Sequence, residues 1–288
     1  MKEINFKEIL TAKDPKAAKK IPCFVYKIIN KVLHIKQINA FIREYGDREG
    51  VEFASALIHD SLKVNVVLTG FENLPETGRI IVAANHPLGG LDGVAIIEAV
   101  AQKRPDIVFP VNDFLTYIPN LKSIFIPINK VGKTSRDAIK LLEDTFKSDK
   151  TILYFPAGLC SRKIKGKIQD LEWKKTFIKQ AVQTQRDIVP VYVNGVNSKL
   201  FYNVERFRRF LGIKFNIGMA LLPRELFNKA GKTIELVFGK PIPWQTFDTS
   251  KAQTQWTQCV RNYVYSLRKN PNVIFKSEKY GHNKSCCE

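Results

Sequence analysis

Asn85-His86-Pro87-Leu88-Gly89-Gly90-Leu91-Asp92-Gly93 is the stretch from which this 288-residue chain is best read. Before it stands Arg79-Ile80-Ile81-Val82-Ala83-Ala84, an unbroken apolar run of strand length, and after it Val94-Ala95-Ile96-Ile97-Glu98-Ala99-Val100, which favours a helix. Strand, Gly-rich turn and helix in that order predict one unit of an open α/β sheet. His86 then stands at the strand's carboxyl end, where such sheets hold ligands. An imidazole can take a proton from an attacking hydroxyl or amine near neutral pH, and a neighbouring carboxylate sets its tautomer and stabilises the imidazolium. His86 and Asp92 are therefore the candidate catalytic residues, as base and orienter. The plainer alternative is a packed histidine with a helix-capping aspartate. The paired glycines and the Asn-His-Pro start weigh against it. With no Ser or Cys in the loop, the simplest scheme makes the acceptor itself the nucleophile.

Further along, Thr151-Ile152-Leu153-Tyr154-Phe155 predicts a buried strand, followed by the turn Pro156-Ala157-Gly158-Leu159-Cys160-Ser161-Arg162-Lys163. Amides at a Gly turn with cations beside them can hold a phosphate, a carboxylate or a developing oxyanion. Gly158, Ser161 and Arg162 are candidate substrate-binding residues on that reading, and an ordinary solvated basic loop is the equal alternative. Between the two stretches, Ser123 to Ile128 is a short apolar strand ending in Asn129-Lys130, which join the binding candidates. A helix should open after Gly132 with Thr134 or Ser135 as cap and Ile139, Leu141, Leu142 and Phe146 inward. Gly132-Lys133-Thr134 is not a phosphate-binding P-loop, because Pro127 stands where the first glycine is required.

The expected organisation is a helical N-terminal region over residues 1–62, an α/β domain over 63–270 and a loose tail over 271–288. Strands and helices alternate in the middle, which predicts a mostly parallel sheet flanked by helices. Gly50 to Leu62 reads as a helix with Phe53, Leu57 and Ile58 apolar, Thr233 to Phe238 as a late strand, and Ala252 to Lys269 as a C-terminal helix carrying Trp256, Val260, Val264 and Leu267. Asp170 to Phe177 reads as a helix start whose Trp173 is either a core aromatic or part of the lining of an apolar tunnel. Phe109, Phe114, Leu115, Tyr117 and Ile118 are candidates for an apolar groove.

Strand-Asn-His-Pro-x4-Asp-Gly, then Phe125-Ile126-Pro127, Phe155-Pro156-x-Gly158, Val189-Pro190-Val191 and Phe238-Gly239-Lys240-Pro241-Ile242, resembles the glycerolipid acyltransferase superfamily typified by 1-acylglycerol-3-phosphate acyltransferases. The likeness runs from about Val64 to Ile242. It implies that His86 and Asp92 are the catalytic pair and that the second and third blocks bind the acceptor. Three positions differ from the glycerophosphate branch: five residues rather than four between His86 and Asp92, Asn129-Lys130 where that branch has Arg, and Ala157 where it has Glu. His-Pro-Leu-Gly-Gly-Leu-Asp-Gly with Phe-Pro-Ala-Gly and Ser161-Arg162 looks instead like the hemolysin-like branch, which includes N-acyltransferases of ornithine-lipid and glycine-lipid synthesis. The resemblance thus implies transfer of a (3-hydroxy)fatty acyl group from an acyl carrier protein thioester to the amino group of glycine or ornithine. Its alternatives are O-acylation of lysophosphatidate and a non-catalytic basic membrane or nucleic-acid adaptor. The His86 and Asp92 pair counts against the adaptor.

Forty-six Lys and Arg against twenty-seven Asp and Glu leave a formal charge of +19, a surface for polyanions. Acyl carrier protein and an anionic membrane surface both fit, alongside a small amino acid or lysophospholipid acceptor. Nucleic acid is disfavoured, since no zinc-finger spacing, ribonucleoprotein motif or reader helix is present. Phe201 to Leu211 mixes aromatics with arginines, as interfacial helices do, and equally suits a helix packed on the domain with a basic edge. Ile21 to Leu33 is apolar but broken by Lys27 and Lys31, too short to span a bilayer, and basic residues precede it. These features predict a cytoplasmic protein, peripheral on the inner face of the cell membrane. Five cysteines fit a reducing compartment: Cys23, Cys160 and Cys259 stand alone, and the adjacent Cys286-Cys287 have no His or further Cys at metal-ligand spacing. Cys160 lies nearest the expected site and reads as a small buried spacer, with a covalent cysteine mechanism the minor reading. No metal is expected, and no cofactor beyond the carrier-protein or CoA thioester co-substrate.

Overall fold

The computed structural model describes residues 3–13, 15–111, 118–127, 136–212 and 217–280. Its N-terminal part is helical: α1 (Phe6–Lys13), α2 (Pro15–Lys20), α3 (Cys23–Val32), α4 (Ile35–Tyr45) and α5 (Gly50–Ser55), the last running into a π-helical turn at Ala56–Ser61. Phe41, Phe53 and Ile58 from this region are buried in the main core, so it is built onto the sheet.

The sheet that follows contains β1 (Asn65–Thr69), β2 (Ile80–Ala84), β3 (Ile107–Val111), β4 (Phe125–Pro127), β5 (Thr151–Tyr154), β8 (Asp187–Asn194) and β9 (Thr233–Phe238), in the order β1-β9-β8-β2-β5-β3-β4. All neighbours are parallel except β8 and β9, which makes the sheet mostly parallel as the alternation predicts. A short antiparallel hairpin, β6 (Arg162–Ile164) with β7 (Lys167–Gln169), stands apart from it. The helices between and after the strands are α6 (Gly90–Ala101), α7 (Arg136–Lys147), α8 (Thr176–Gln183), α9 (Lys199–Phe210), α10 (Ile217–Phe227), α11 (Gln253–Ser266) and α12 (Ser277–Tyr280).

β2 lies mid-sheet and is buried along its whole length, because both of its faces are covered. Its side chains alternate between two cores. Ile80, Val82 and Ala84 join Leu91, Val94 and Ile97 of α6, whereas Ile81 and Ala83 join Phe177 and Ile178 of α8 and Val260 and Val264 of α11. A strand pinned on both faces cannot slip by one residue without inverting these sets. Whatever follows Ala84 is held rigidly at the sheet's carboxyl edge.

Four expectations need correcting. Residues 271–280 are not loose: Tyr263 Oη donates to the Val273 carbonyl, Asn262 Nδ2 donates to the Tyr280 carbonyl and the Tyr280 side chain is buried. Leu141 of α7 is exposed although Phe146 of the same helix is fully buried, so the inward stripe of that helix is narrower than expected. The helix expected from Asp170 begins only at Thr176, since the Asp170 side chain is taken up by tertiary partners described below. α6 begins at Gly90, earlier than Val94, because Asp92 closes its first turn. The proposed caps Thr134 and Ser135, the groove candidates Phe114, Leu115 and Tyr117, and residues 281–288 lie outside the described residues. Among the described residues, no helix is long and apolar enough to cross a membrane.

Candidate active site

The loop after β2 is tied down at both ends. Asn85 continues the strand by proxy: its side chain donates to the Val193 carbonyl at 3.0 Å and accepts from the Val193 amide at 2.7 Å, joining β2 to β8. At the other end, Gly89 sits at φ +81°, and a Cβ there would come within 2.6 Å of the Leu222 side chain. Glycine thus satisfies both the backbone conformation and the close approach of α10.

This turn brings Asp92, in the first turn of α6, back against the loop. Its Oδ2 accepts from the Leu88 amide at 2.8 Å and the Gly89 amide at 3.2 Å, and it lies 3.0 Å from His86 Nδ1. Its Oδ1 accepts from the Gly93 amide. Asp92 is fully buried, and the amides and the helix N-terminus stabilise its charge. A carboxylate that only accepts requires His86 Nδ1 to be the protonated nitrogen. Nε2 then carries the lone pair, and among the described residues no hydrogen bond engages it. The His86 side chain is 16% exposed, so one nitrogen is fixed inside while the ring still reaches the surface. Phe155 stacks on the ring at 4.0 Å between centroids, with 18° between the planes, which limits its rotation.

The turn after β5 docks directly onto this loop. The Ser161 amide donates to the His86 carbonyl at 2.7 Å, and Cys160 Sγ and Asn197 Nδ2 both donate to the Pro87 carbonyl. Asp170 organises the junction: its Oδ1 accepts from the His86 amide at 3.1 Å and the Ser161 hydroxyl at 2.5 Å, and its Oδ2 from Trp173 Nε1 at 2.8 Å. Burial pushes the Asp170 carboxyl above the usual carboxylate range, against the opposing pull of those hydrogen bonds. Removing this acceptor strands three buried donors, so Asp170→Ala should cost about 3 kcal/mol or more, read by chemical denaturation.

The binding candidates fare differently from the catalytic pair. Asn129 and Lys130 lie outside the described residues. The Gly158 amide is taken by the Phe155 carbonyl at 3.0 Å, so it is not an open anion donor. Ser161 is buried and donates to Asp170. Arg162, also buried, pairs through Nε with Glu205 Oε2 at 3.0 Å and donates to the Cys160 carbonyl. Both side chains are buried and spend their hydrogen bonds within the fold. Arg162→Ala should therefore weaken folding by about 3 kcal/mol, while the fraction that folds keeps its acceptor KM within about twofold; denaturation and steady-state kinetics check the two halves.

Cys160 is buried, as a small spacer would be. Burial, reinforced by the negative charges of Asp92 and Asp170, raises its thiol far above the ordinary cysteine range. Trp173 is a core residue packed edge-on to Phe177. No group of His, Cys, Asp and Glu among the described residues could hold a metal ion. Sequence reasoning missed Asp170, Asn197 and Phe155, each of which meets the His86–Pro87 segment across a long stretch of chain; the one available signal was an aspartate three positions before Trp173 in a lysine-rich run.

A family model described as acyltransferase matches residues 8–273. The lyso-glycine lipid O-acyltransferase of Bacteroides thetaiotaomicron is 46% identical over 265 residues, covering 92% of this chain and 97% of that protein. The protein of the same name from Phocaeicola vulgatus is 44% identical over 265 residues, covering 92% and 95%. Among solved structures, a 1-acyl-sn-glycerophosphate acyltransferase from Thermotoga maritima is 18% identical with a TM-score of 0.46, covering 91% of this chain and 87% of that one.

Proposed function

The chain belongs to the acyltransferase family and is an enzyme that transfers acyl groups in lipid synthesis, and from that premise we propose that it acylates the free hydroxyl of a glycine lipid bearing one fatty chain, with His86 as general base. The observation that carries the chemistry is the His86 Nδ1 to Asp92 Oδ2 contact of 3.0 Å, with Nε2 left unengaged among the described residues. The hydroxyl acceptor is drawn from the names of the two relatives. The adaptor reading falls with membership of an enzyme family.

In this reading Nε2 takes the acceptor's hydroxyl proton as the oxygen attacks the thioester carbonyl. Asp92 holds the imidazolium that forms, and the tetrahedral intermediate collapses by breaking the carbon–sulfur bond. The departing thiolate takes the proton from His86, so the base is regenerated. Sequestration of the Cys160 thiol and the Ser161 hydroxyl supports direct transfer without an acyl-enzyme. The donor in this proposal is an acyl carrier protein or CoA thioester. An amine acceptor, glycine or ornithine, would use the same base, since an ammonium must lose a proton before it attacks. A lipid acceptor also implies work at a membrane surface, on which the protein would be peripheral.

The deciding experiment is a mass-spectrometric transfer assay. Purified protein with acyl carrier protein and CoA thioesters is offered N-(3-hydroxyacyl)glycine, glycine, ornithine and lysophosphatidate. Diacylated glycine as the main product is expected. An N-acyl amino acid or phosphatidate in its place would overturn the hydroxyl-of-glycine-lipid assignment.

A further inference from the structure

The outer face of α9 presents side chains that the core does not use. The helix packs on the domain through Phe201, Tyr202 and Glu205, all buried. At 100° per residue, Phe207 and Phe210 fall on the opposite side, Leu211 extends it, and Arg206 is exposed on its flank. Phe210 is 84% exposed and Phe207 62%. Two neighbouring phenylalanines held out in water mark a contact surface more readily than a scattered apolar residue does.

Cations frame the pair. Arg206 and Arg209 are exposed, and Arg209 donates to the Lys163 carbonyl at 3.2 Å, which ties the end of α9 to the β6–β7 hairpin. Lys163 and Lys165 of that hairpin are exposed as well. The hairpin starts immediately after Ser161, whose amide bonds to the His86 carbonyl. The aromatic and basic patch is therefore mounted on the same loop system that carries His86.

We propose that this face, the outer side of α9 together with the β6–β7 hairpin, docks on a bilayer containing anionic lipid. Phe207 and Phe210 enter the interfacial layer, and Arg206, Arg209, Lys163 and Lys165 meet the headgroup phosphates. The proposal deepens the lipid-acceptor reading and rests on it for the reason a membrane is needed. Charge complementarity with a net +19 chain favours an anionic partner. Protruding aromatics select a lipid surface over the acidic carrier protein, which cations alone would recognise.

The test is co-sedimentation of the full chain with phosphatidylcholine vesicles, with and without phosphatidylglycerol. Two variants accompany it: Phe207→Ser with Phe210→Ser, and Arg206→Glu with Lys165→Glu. Circular dichroism melting confirms that each is folded. Wild type should partition onto the phosphatidylglycerol vesicles, more weakly as salt rises, and each double variant should bind roughly tenfold more weakly or worse. Turnover of detergent-dispersed acceptor should be unchanged in the first variant. Wild type that ignores the anionic vesicles, or folded variants that bind them as well as wild type, would overturn the docking face. So would variants that lose only binding to purified acyl carrier protein. Transfer in detergent is read separately: its failure with every lipid acceptor would overturn the functional reading, whereas vesicle binding reports on docking without catalysis.

Discussion

His86→Ala is expected to lower kcat by about 10²- to 10⁴-fold, the usual loss when an acid-base group is removed, with little change in thermal stability. The ring stands at the edge of the core, and its main contacts are Asp92 and the stacked Phe155. Its removal leaves the Asp92 carboxylate with the Leu88, Gly89 and Gly93 amides, so the turn keeps its internal hydrogen bonds. Loss of activity without loss of fold is the expected signature. A folded His86→Ala protein with turnover near wild type would remove His86 as the base.

Asp92→Asn is expected to cost both activity and stability. Oδ2 serves the His86 ring and two backbone amides, and Oδ1 serves the Gly93 amide. An amide side chain must turn its NH2 toward one of these sets, so a donor faces donors whichever way it flips. If NH2 replaces Oδ2, His86 is driven to the tautomer with its proton on Nε2, which can no longer accept one. If NH2 replaces Oδ1, the tautomer survives, but the Gly93 amide loses its partner and the negative charge that stabilises the imidazolium is gone. A fall in kcat of about 10²- to 10⁴-fold follows, with a stability loss of about 2 kcal/mol from the stranded amides. Acceptor KM should move little. A variant that loses stability but keeps its kcat would show that Asp92 only caps α6.

The catalytic candidates were legible because their geometry is local. His86 and Asp92 are six residues apart, and a two-glycine turn between a strand and a helix brings them together whatever surrounds it. The surroundings of Ser161 and Arg162 were not legible, because polar and cationic residues in a turn look alike in sequence whether they face solvent or a buried acid. Arg162 meets Glu205, 43 residues away, and Ser161 meets Asp170, which also reaches back 84 residues to the His86 amide. α7 shows the same limit, since its apolar positions could not reveal that Leu141 would stay outside while Phe146 went in.

The sequence by itself determined the α/β class, the central apolar strand with its carboxyl-end loop, and the His86 and Asp92 pair, because apolar runs, glycine turns and helix starts are short-range properties of the chain. Only the tertiary structure decided which nitrogen of His86 is free to act, that Arg162, Ser161 and Cys160 are locked in the fold, and that Phe207 and Phe210 face outward. Those outcomes depend on which distant groups share the same buried space, where an unpaired charge or donor is too costly to leave, and that pairing is set by packing.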